Sequence, residues 1–336
     1  MIDDWTETLD RGGSVDLIYM DFQKAFDKVP HRRLMTKLRS YGITGMIYRW
    51  IDAFLTNRTQ RVAVNGKFSK WIEVWTGIPQ GSVLGPLLFV IFINDLPDAV
   101  RSTVFLYADD TKIYREITNK DDSDTLQQDL NTLQKWSDTW LLKFPPKKCK
   151  TMSISSRNQD HNMNYNMRDG AEVIELETVL EEKDLGVVTD QHLRFENHIQ
   201  QKINTANKMM GMIRRTFQHL SIETFRWLFK AMVRPHIEYA QSVWSPQRKI
   251  DITVLENVQR RATKMIPGFK DISYPERLKK LDLPTLSYRR IRGDMIEVFK
   301  MVHGTYDEDA SLQLQIHEGH RTTRGEVHGL FACACR

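Results

Sequence analysis

Three aspartates have the surroundings expected of a metal-dependent site for phosphoryl transfer. Asp21 follows the apolar run Val15 to Met20, which predicts a buried strand, and Asp109-Asp110 lies between two further β-rich segments. Neighbouring side chains of a strand point to opposite faces, so only a turn would let this adjacent pair converge on a third carboxylate. Acids on apolar strands need a cation, and Mg²⁺ prefers oxygen ligands. The pattern predicts a two-ion site for in-line phosphoryl transfer.

Taken alone, an Asp-Asp pair in a turn favours ordinary surface turn chemistry. The elements around the pair therefore matter. Asn65-Gly66 predicts a hairpin turn between two strands, because both residues accept a positive φ. Pro30 fits the first position of a helix. Further strands are predicted at 103–107, 111–114, 150–155 and 184–188, and helices at 46–55, 83–96 and 122–142.

The pattern changes near Phe195 to long helical periodicity rich in basic residues. Residues 202–300 contain 20 Lys/Arg against 9 Asp/Glu, although the whole chain is only +5. A basic half beside an acidic half indicates a polyanion groove next to a carboxylate site, and the alternative is a set of solvated helix faces. We predict domains at 1–195 and 196–316, with an irregular tail at 317–336.

The bulk composition excludes several other classes of protein. Of the 336 residues, 41% are hydrophobic and 27% charged, which is typical of a globular chain. The three cysteines, Cys149, Cys333 and Cys335, form no paired framework, so we expect a reducing compartment. The acidic N-terminus is not a signal peptide, and the apolar run 83–96 is too short to span a bilayer. We therefore expect an intracellular protein, in the nucleus or the cytoplasm.

Three motifs in order give the carboxylates a family context. They are MDFQKAFDKVPH at 20–31, GIPQGSVLGPLLF at 77–89 and YADD at 107–110. Together they resemble motifs A, B and C of reverse transcriptases from non-LTR (LINE-type) retrotransposons of the jockey and chicken-repeat type. The resemblance extends from about Asp10 to about Asn197 and is weaker beyond. It implies an α+β fold, a polymerase palm whose antiparallel sheet is backed by helices, followed by a mostly helical thumb-like region.

The resemblance also implies roles for single residues in an RNA-directed DNA polymerase. Asp21 and Asp109 match the metal-binding acids, and Asp110 matches their weaker neighbour. The Phe22 carbonyl is expected to face a metal as well. The implied cofactors are two Mg²⁺ ions, with Mn²⁺ as a possible substitute, and the implied partners are an RNA template, a DNA primer and deoxynucleoside triphosphates.

Further residues match the nucleotide-binding positions of the family. Phe26 corresponds to the bulky residue that leaves no room for a 2′-hydroxyl, and the alternative is that it belongs to the core. Gln80 and Gly81 match the motif B loop, where the backbone must approach a nucleotide closely. Lys147 or Lys148 matches the lysine that protonates the leaving pyrophosphate, and a solvated lysine pair is the alternative.

The helical region supplies candidates for contact with nucleic acid. We expect Tyr239 and Trp244 to fill the core rather than to stack on bases. The segment DLGVVTD, 184–190, resembles the strand region called the primer grip. The cations predicted to contact phosphate are Arg214, Arg215, Arg260, Arg261 and Lys264.

The sequence departs from the family at both ends. It begins about twenty residues before Asp21, so we expect it to lack the fingers region and the endonuclease domain that the family has upstream, and the tail is atypical of the family. We interpret the chain as a fragment or degenerate copy that is slow or inactive alone. Two alternatives stay open: a non-catalytic nucleic-acid-binding relic, and an unrelated two-metal nuclease that would release mononucleotides without a template.

Overall fold

The chain divides into two compact units. A computed structural model describes residues 1–155 and 164–307. Of these described residues, those within Met1–Lys183 and Thr189–Leu193 form the first unit, and Asp184–Val188 with 194–307 form the second. The predicted tail, 317–336, lies outside the described residues. The assignment of residues 1–195 to a palm and 196–316 to a thumb-like region stays a prediction.

The first unit is built on a five-stranded sheet with the strand order β11-β8-β1-β7-β6. Strand β1 pairs antiparallel with β7 and β8, β6 pairs antiparallel with β7, and β11 joins β8 in parallel. The strands are β1 Ser14–Asp21, β2 Thr59–Gln60, β3 Ala63–Val64, β4 Lys67–Phe68, β5 Ile72–Glu73, β6 Thr103–Tyr107, β7 Asp110–Ile117, β8 Lys150–Ser155, β9 Asn166–Asp169, β10 Glu172–Glu175, β11 Glu177–Thr178, β12 Glu181–Asp184 and β13 Val187–Asp190.

Strand β1 is apolar on both faces because both faces are covered. Ile18 and Met20 belong to the large core of the unit, whereas Val15 and Leu17 pack in a smaller core with Trp5. The continuous run VDLIYM is thus typical of a central strand buried on two sides. Such a strand is fixed in register, and this fixes where its last residue lies.

Helices cover the sheet and make up most of the second unit. They are α1 Ile2–Asp10, α2 Ala25–Lys28, α3 His31–Ser40, α4 Gly45–Leu55, α5 Leu84–Ile93, α6 Lys120–Trp140, α7 Glu196–Thr216, α8 Ile222–Leu228, α9 Arg234–Glu238, α10 Gln241–Trp244, α11 Lys249–Thr263, α12 Tyr274–Leu281 and α13 Leu286–Val302. None of the described helices has the length and apolar character that a membrane span requires.

Helices α5 and α6 each contribute several side chains to the large core. Helix α5 is apolar on all sides and buries Leu88 and Phe92, and α6 buries Leu126, Leu130 and Leu133 at helical spacing. Each fully buried side chain of this size contributes about 1.5–3 kcal/mol. Helix α6 begins at a capping box, in which the Asn119 and Asp122 side chains each accept a hydrogen bond from the other's backbone N–H.

Trp244 and Tyr239 of the second unit differ in burial. Trp244 is 1% exposed and donates its Nε1–H to the Tyr239 carbonyl at 2.7 Å, so its predicted place in the core is confirmed. Tyr239 is 53% exposed, so the same prediction is wrong for it. Its hydroxyl donates to the Leu185 carbonyl at 2.9 Å, which draws the ring to the surface.

The predicted fold class is confirmed, with corrections in local detail. Strands β1, β6 and β8 lie where the apolar runs place them, and Asn65-Gly66 forms the expected turn with φ of +48° and +76°. The strands predicted on either side of that turn, at 59–64 and 67–74, are wrong as continuous strands, because this segment forms two short antiparallel pairs, β2 with β5 and β3 with β4. The single strand predicted at 184–188 is also wrong: Leu185 and Gly186 have positive φ and separate β12 from β13.

Candidate active site

Strand register places two of the three predicted acids opposite each other. Asp21 is the last residue of β1 and Asp110 the first residue of β7, and they are paired across the sheet. Directly opposed residues of an antiparallel pair have Cβ atoms about 5 Å apart on the same face. Two like charges at that distance repel, so the pair favours a cation between them.

The third acid lies in the turn that joins β6 to β7. Tyr107 and Asp110 form the last pair of this hairpin, and Ala108 and Asp109 connect them. Ala108 has a φ of +52°, which is uncommon for a residue with a Cβ atom. The prediction that Asp109 and Asp110 share the turn is thus wrong in one detail: the turn contains Ala108 and Asp109, and Asp110 already belongs to the strand.

A lysine ammonium contacts the Asp21 carboxylate. Lys148 Nζ lies 2.9 Å from Asp21 Oδ2, and Lys148 ends a 3₁₀ turn that begins at Pro146. The hydrogen bond to Asp21 raises the pKa of the Lys148 ammonium, and the negative charges of Asp21 and Asp109 add to that effect. The neighbouring Lys147 is exposed. Of the two lysines considered from sequence, the structure brings Lys148 to the carboxylates.

The residue that follows Lys148 in the chain has a buried thiol. Cys149 is fully buried and its Sγ contacts the Pro145 carbonyl at 3.5 Å. Burial raises the pKa of the Cys149 thiol to about 12, and the charge of Asp21 acts in the same direction. A protonated, buried thiol neither binds a metal nor attacks a substrate at neutral pH. Cys149 therefore acts as an apolar side chain in the support of the Lys148 turn.

The ligand atoms that these aspartates offer are of the type that a divalent ion binds. Carboxylate oxygens are the ligands that Mg²⁺ prefers, and Asp21 and Asp110 face each other across the sheet. Within the described residues, no three His, Cys, Asp or Glu side chains are placed to hold a metal ion together. The Lys148 ammonium supplies the positive charge beside Asp21. A divalent ion bound there would have to displace it.

The motif B segment is fastened to motif A by backbone hydrogen bonds. The Ile78 N–H donates to the Phe26 carbonyl at 2.7 Å, and the Gly77 N–H donates to the Val29 carbonyl at 2.8 Å. Gly77 has a φ of +90°, and a Cβ atom there would lie 2.7 Å from the Asp27 carbonyl oxygen. Only glycine permits this close approach.

The predicted nucleotide-binding residues of motif B lie on this fastened loop. Gln80 Nε2 donates to Asp27 Oδ1 at 3.1 Å, which links the two motifs through side chains as well. Gly81 has a φ of +81° with no atom within 4 Å of where its Cβ would be. An open, left-handed glycine leaves its backbone accessible to a ligand.

The two phenylalanines of motif A have different environments. Phe22 is 2% exposed and its ring stacks on Phe144, with 4.2 Å between the ring centroids. Phe26 is partly buried at the edge of the large core and stacks on Phe89 of α5 at 4.8 Å. The Phe26 ring is therefore held in place from one side, as a steric guard requires. Its role in sugar selection, and the role of the Phe22 carbonyl, stay predictions.

The structure gathers three of the five predicted phosphate-binding cations. Arg214, Arg261 and Lys264 line a cavity of about 560 Å³ in the second unit, together with Lys270. We call this the basic cavity. Arg260 lies outside its lining and places its guanidinium 4.5 Å from the Tyr274 ring centroid. Arg215, also outside the lining, is exposed.

Sequence reasoning missed the contact of His31 with the motif B loop. His31 is 7% exposed, and its Nε2 lies 2.8 Å from the Gly77 carbonyl oxygen. A carbonyl only accepts, so the Nε2 carries the proton. No local pattern in the sequence indicates a hydrogen bond between residues so far apart along the chain.

Comparison with known proteins identifies the family of the chain. Residues 5–202 match the family model described as "Reverse transcriptase (RNA-dependent DNA polymerase)". The match covers more than half of the chain, and the chain belongs to this family. The resemblance to polymerases of jockey-type, non-LTR mobile elements is confirmed by the relatives described next.

Two curated relatives illustrate the similarity. The RNA-directed DNA polymerase from mobile element jockey of Drosophila funebris is 27% identical over 277 residues, which are 78% of this chain and 29% of the relative. The probable RNA-directed DNA polymerase from transposon BS of Drosophila melanogaster is 28% identical over 270 residues, 74% of this chain and 28% of the relative. The chain thus spans less than a third of the length of either.

Solved structures include a distant likeness to telomerase. The structure of telomerase from Candida albicans with a fragment of telomeric RNA aligns with 85% of this chain and 54% of its own chain. The sequence identity is 9% and the TM-score 0.42.

Proposed function

We propose that the chain is the palm and thumb-like part of an RNA-directed DNA polymerase of a mobile element. The single observation that best supports this is the cross-strand pair of Asp21 and Asp110 with Asp109 in the adjacent turn. In a member of the reverse transcriptase family, this is the place where nucleotidyl transfer would occur. RNA template, DNA primer and deoxynucleoside triphosphates are the proposed partners, and the site of action is inside the cell, in the nucleus or the cytoplasm.

The proposed reaction joins a primer to a nucleotide. The primer 3′-oxygen attacks the α-phosphorus, its hydroxyl proton passes to solvent water, and the bond from the α-phosphorus to the pyrophosphate oxygen breaks. Members of this family generally use divalent metal ions. Two Mg²⁺ ions held by Asp21 and Asp109, with Asp110 in support, would neutralise charge on the attacking and leaving oxygens.

The other residues of the site would orient the reactants and move a proton. Lys148 Nζ would protonate the leaving pyrophosphate, since a lysine ammonium is charged at neutral pH and this one lies beside the carboxylates. The Phe26 ring would exclude a 2′-hydroxyl, and the Gly81 backbone would contact the incoming nucleotide. The sequence leaves Lys147 and Lys148 as equal candidates for this proton donor. We propose Lys148, because its ammonium contacts Asp21.

The second unit would hold nucleic acid. We propose that residues 196–316 act as the thumb-like region, of which 196–307 are described. The basic cavity, with Arg214, Arg261 and Lys264, would bind a phosphate of the primer–template duplex. Such contacts position a duplex without reading its sequence, and they weaken as salt rises.

The basic cavity also supports a second candidate function. Its cations would bind phosphate whether or not the carboxylates support synthesis, so the chain could be a nucleic-acid-binding protein without catalysis. The two functions differ in one measurable property: only the polymerase would need Asp109. They share the requirement for Arg261 and Lys264.

Primer extension separates the two functions. The assay contains a poly-rA template, an oligo-dT primer, dTTP and Mg²⁺, with the chain and its Asp109→Asn variant. Extension that disappears in the variant, with unchanged binding of the hybrid, supports the polymerase. No extension by either protein, although both are folded and bind the hybrid, supports the binding protein. Extension that is equal in both proteins contradicts the assignment of Asp109.

A further inference from the structure

A second cavity in the first unit contains three arginines and no residue assigned above to nucleotide or metal. Its volume is about 680 Å³, within the range of small-molecule sites. Arg32 and Arg33 line it from the first turn of α3, and Arg58 lines it from the segment that follows α4. Glu73 is the one acidic residue of its lining. We call it the arginine cavity.

Arg33 carries an unused hydrogen-bond donor. Its Nη1 atom is buried and has no hydrogen-bond partner within the described part of the chain. Buried polar atoms in folded proteins nearly always have a partner. The Arg33 residue as a whole is partly exposed and lines the cavity, so a ligand there would contact its exposed part, and a turn of the side chain would bring Nη1 to the ligand. A guanidinium has donors only, so the ligand that satisfies it must present an acceptor, and an anionic oxygen is the best match.

The remaining lining adds attraction for an anion. Helix α3 has ten residues and begins at His31, and the preceding Pro30 provides no side-chain cap. The N-terminal end of an uncapped helix carries a partial positive charge and free N–H groups, which favour phosphate. The Arg58 guanidinium donates to the Gly77 carbonyl at 3.3 Å, which holds it at the wall of the cavity.

The lining also includes apolar residues and an exposed indole. Trp75 is 76% exposed although it lines a concave site, and Val74 and Leu141 line the same cavity. An exposed indole next to arginines offers a surface on which a nucleobase can stack. One ligand that combines a flat apolar ring with an anionic oxygen is a nucleotide.

The position of the cavity suggests a strand rather than a free nucleotide. His31, in the first turn of α3, and Arg58 both contact the Gly77 carbonyl, at the start of the motif B loop. The cavity therefore adjoins the segment proposed to meet the incoming nucleotide and template. A nucleotide of the template strand outside the pairing site would lie at such a place.

We propose that the arginine cavity binds one nucleotide of a single-stranded RNA, with its phosphate on Arg33 and its base against Trp75. The choice of RNA rests on the proposed function, in which RNA is the template. The contacts themselves, a phosphate and a base face, are present in any single strand, so binding would depend little on sequence.

The test measures RNA binding without catalysis. A fluorescently labelled single-stranded oligouridine RNA is titrated with the full chain in EDTA, without nucleotides, and the anisotropy gives Kd. Arg33→Gln removes the orphan donor, and its control is Lys67→Gln, an exposed lysine on β4 with the same change in charge. We expect Kd to rise about tenfold for Arg33→Gln, with the salt slope reduced by about one, and less than about twofold for the control.

A second pair of variants does not depend on the packing of Arg33. Trp75→Ala removes the proposed stacking surface, and Trp50→Ala removes another exposed tryptophan, which stacks on Phe54 of α4. We expect about a tenfold rise in Kd for Trp75→Ala and little change for Trp50→Ala. Melting temperatures of all variants are measured in the same buffer, so that a folding defect in Arg33→Gln is recognised.

Several outcomes would overturn the proposal. Equal effects of Arg33→Gln and Lys67→Gln on Kd would show that Arg33 contributes only through the net charge of the protein. An unchanged Kd for Trp75→Ala would show that no base stacks on Trp75. A DNA strand of the same length and free uridine monophosphate are titrated in parallel. Losses on RNA, with or without similar losses on DNA, support the proposal, whereas losses confined to DNA or to the free nucleotide contradict it. The binding assay needs no catalysis, so it tests the arginine cavity even if the chain does not extend primers.

Discussion

The Lys148 ammonium lies 2.9 Å from the Asp21 carboxylate, at the end of strand β1 where the proposed metal site begins. Asp21 is also the register partner of Asp110, so one carboxylate is opposed by a like charge and contacted by an unlike one. This arrangement places a cation of the chain itself beside Asp21. It also makes Lys148 a competitor of any divalent ion at Asp21.

Removal of that competitor should tighten metal binding. We expect Lys148→Gln to lower the Kd for Mg²⁺ about fivefold, because one positive charge a few ångström from the ion is lost. Isothermal titration calorimetry on the metal-free protein measures this. Lys147→Gln has the same charge change on an exposed neighbour and should leave the Kd nearly unchanged. If both variants bind Mg²⁺ equally, the Asp21 contact has no special role.

Gly77 should tolerate a side chain less well than Gly81 does. Both have a φ near +80° to +90°, so alanine at either position adds backbone strain of about 1–2 kcal/mol. At Gly77 the new Cβ would also lie 2.7 Å from the Asp27 carbonyl, whereas Gly81 has open space. We expect Gly77→Ala to lower the free energy of unfolding by about 1–3 kcal/mol more than Gly81→Ala. Urea unfolding followed by tryptophan fluorescence gives both values.

Phe26 should control the choice between deoxy- and ribonucleotides. If its ring bounds the sugar pocket, Phe26→Ala opens space for a 2′-hydroxyl. The ratio of kcat/KM for dTTP over UTP on poly-rA should then fall about tenfold or more. A variant that loses stability, because the stack on Phe89 is gone, but keeps the wild-type ratio would show that Phe26 is only a core residue.

The second unit should lose stability in mild acid because of His198. Its Nδ1 accepts a hydrogen bond from the Val188 N–H at 3.0 Å, and burial lowers its pKa to about 4, with the positive charge of Lys202 acting in the same direction. In the unfolded chain the pKa is near 6.5. Between these values the unfolded state binds a proton that the folded state does not, so stability falls as the pH falls through this window.

The size of the His198 effect can be isolated with one variant. Moving from pH 7 to pH 5 should cost about 2 kcal/mol of unfolding free energy through this residue. His198→Asn keeps an acceptor for the Val188 N–H and cannot titrate, so its loss over the same pH step should be smaller by that amount. Equal losses in both proteins would show that other groups cause the acid sensitivity.

The amino-acid sequence by itself determined the local elements and the family. The run VDLIYM, the Asn65-Gly66 turn and the apolar spacing of α6 each depend on neighbours along the chain, so the strand, the turn and the helix were predictable. The order of the three motifs was likewise visible without any structure. Errors fell where local signals were weak, as at Leu185-Gly186, where a turn replaces a predicted strand.

Tertiary structure decided which side chains meet. The pairing of Asp21 with Asp110 depends on the register of β1 against β7, and the contact of Lys148 rather than Lys147 depends on how a 3₁₀ turn is placed. The arginine cavity exists only because α3 and the segments around β2 and β5 come together. Such contacts join residues distant in sequence. They follow from the packing of whole elements, which no short pattern of residues encodes.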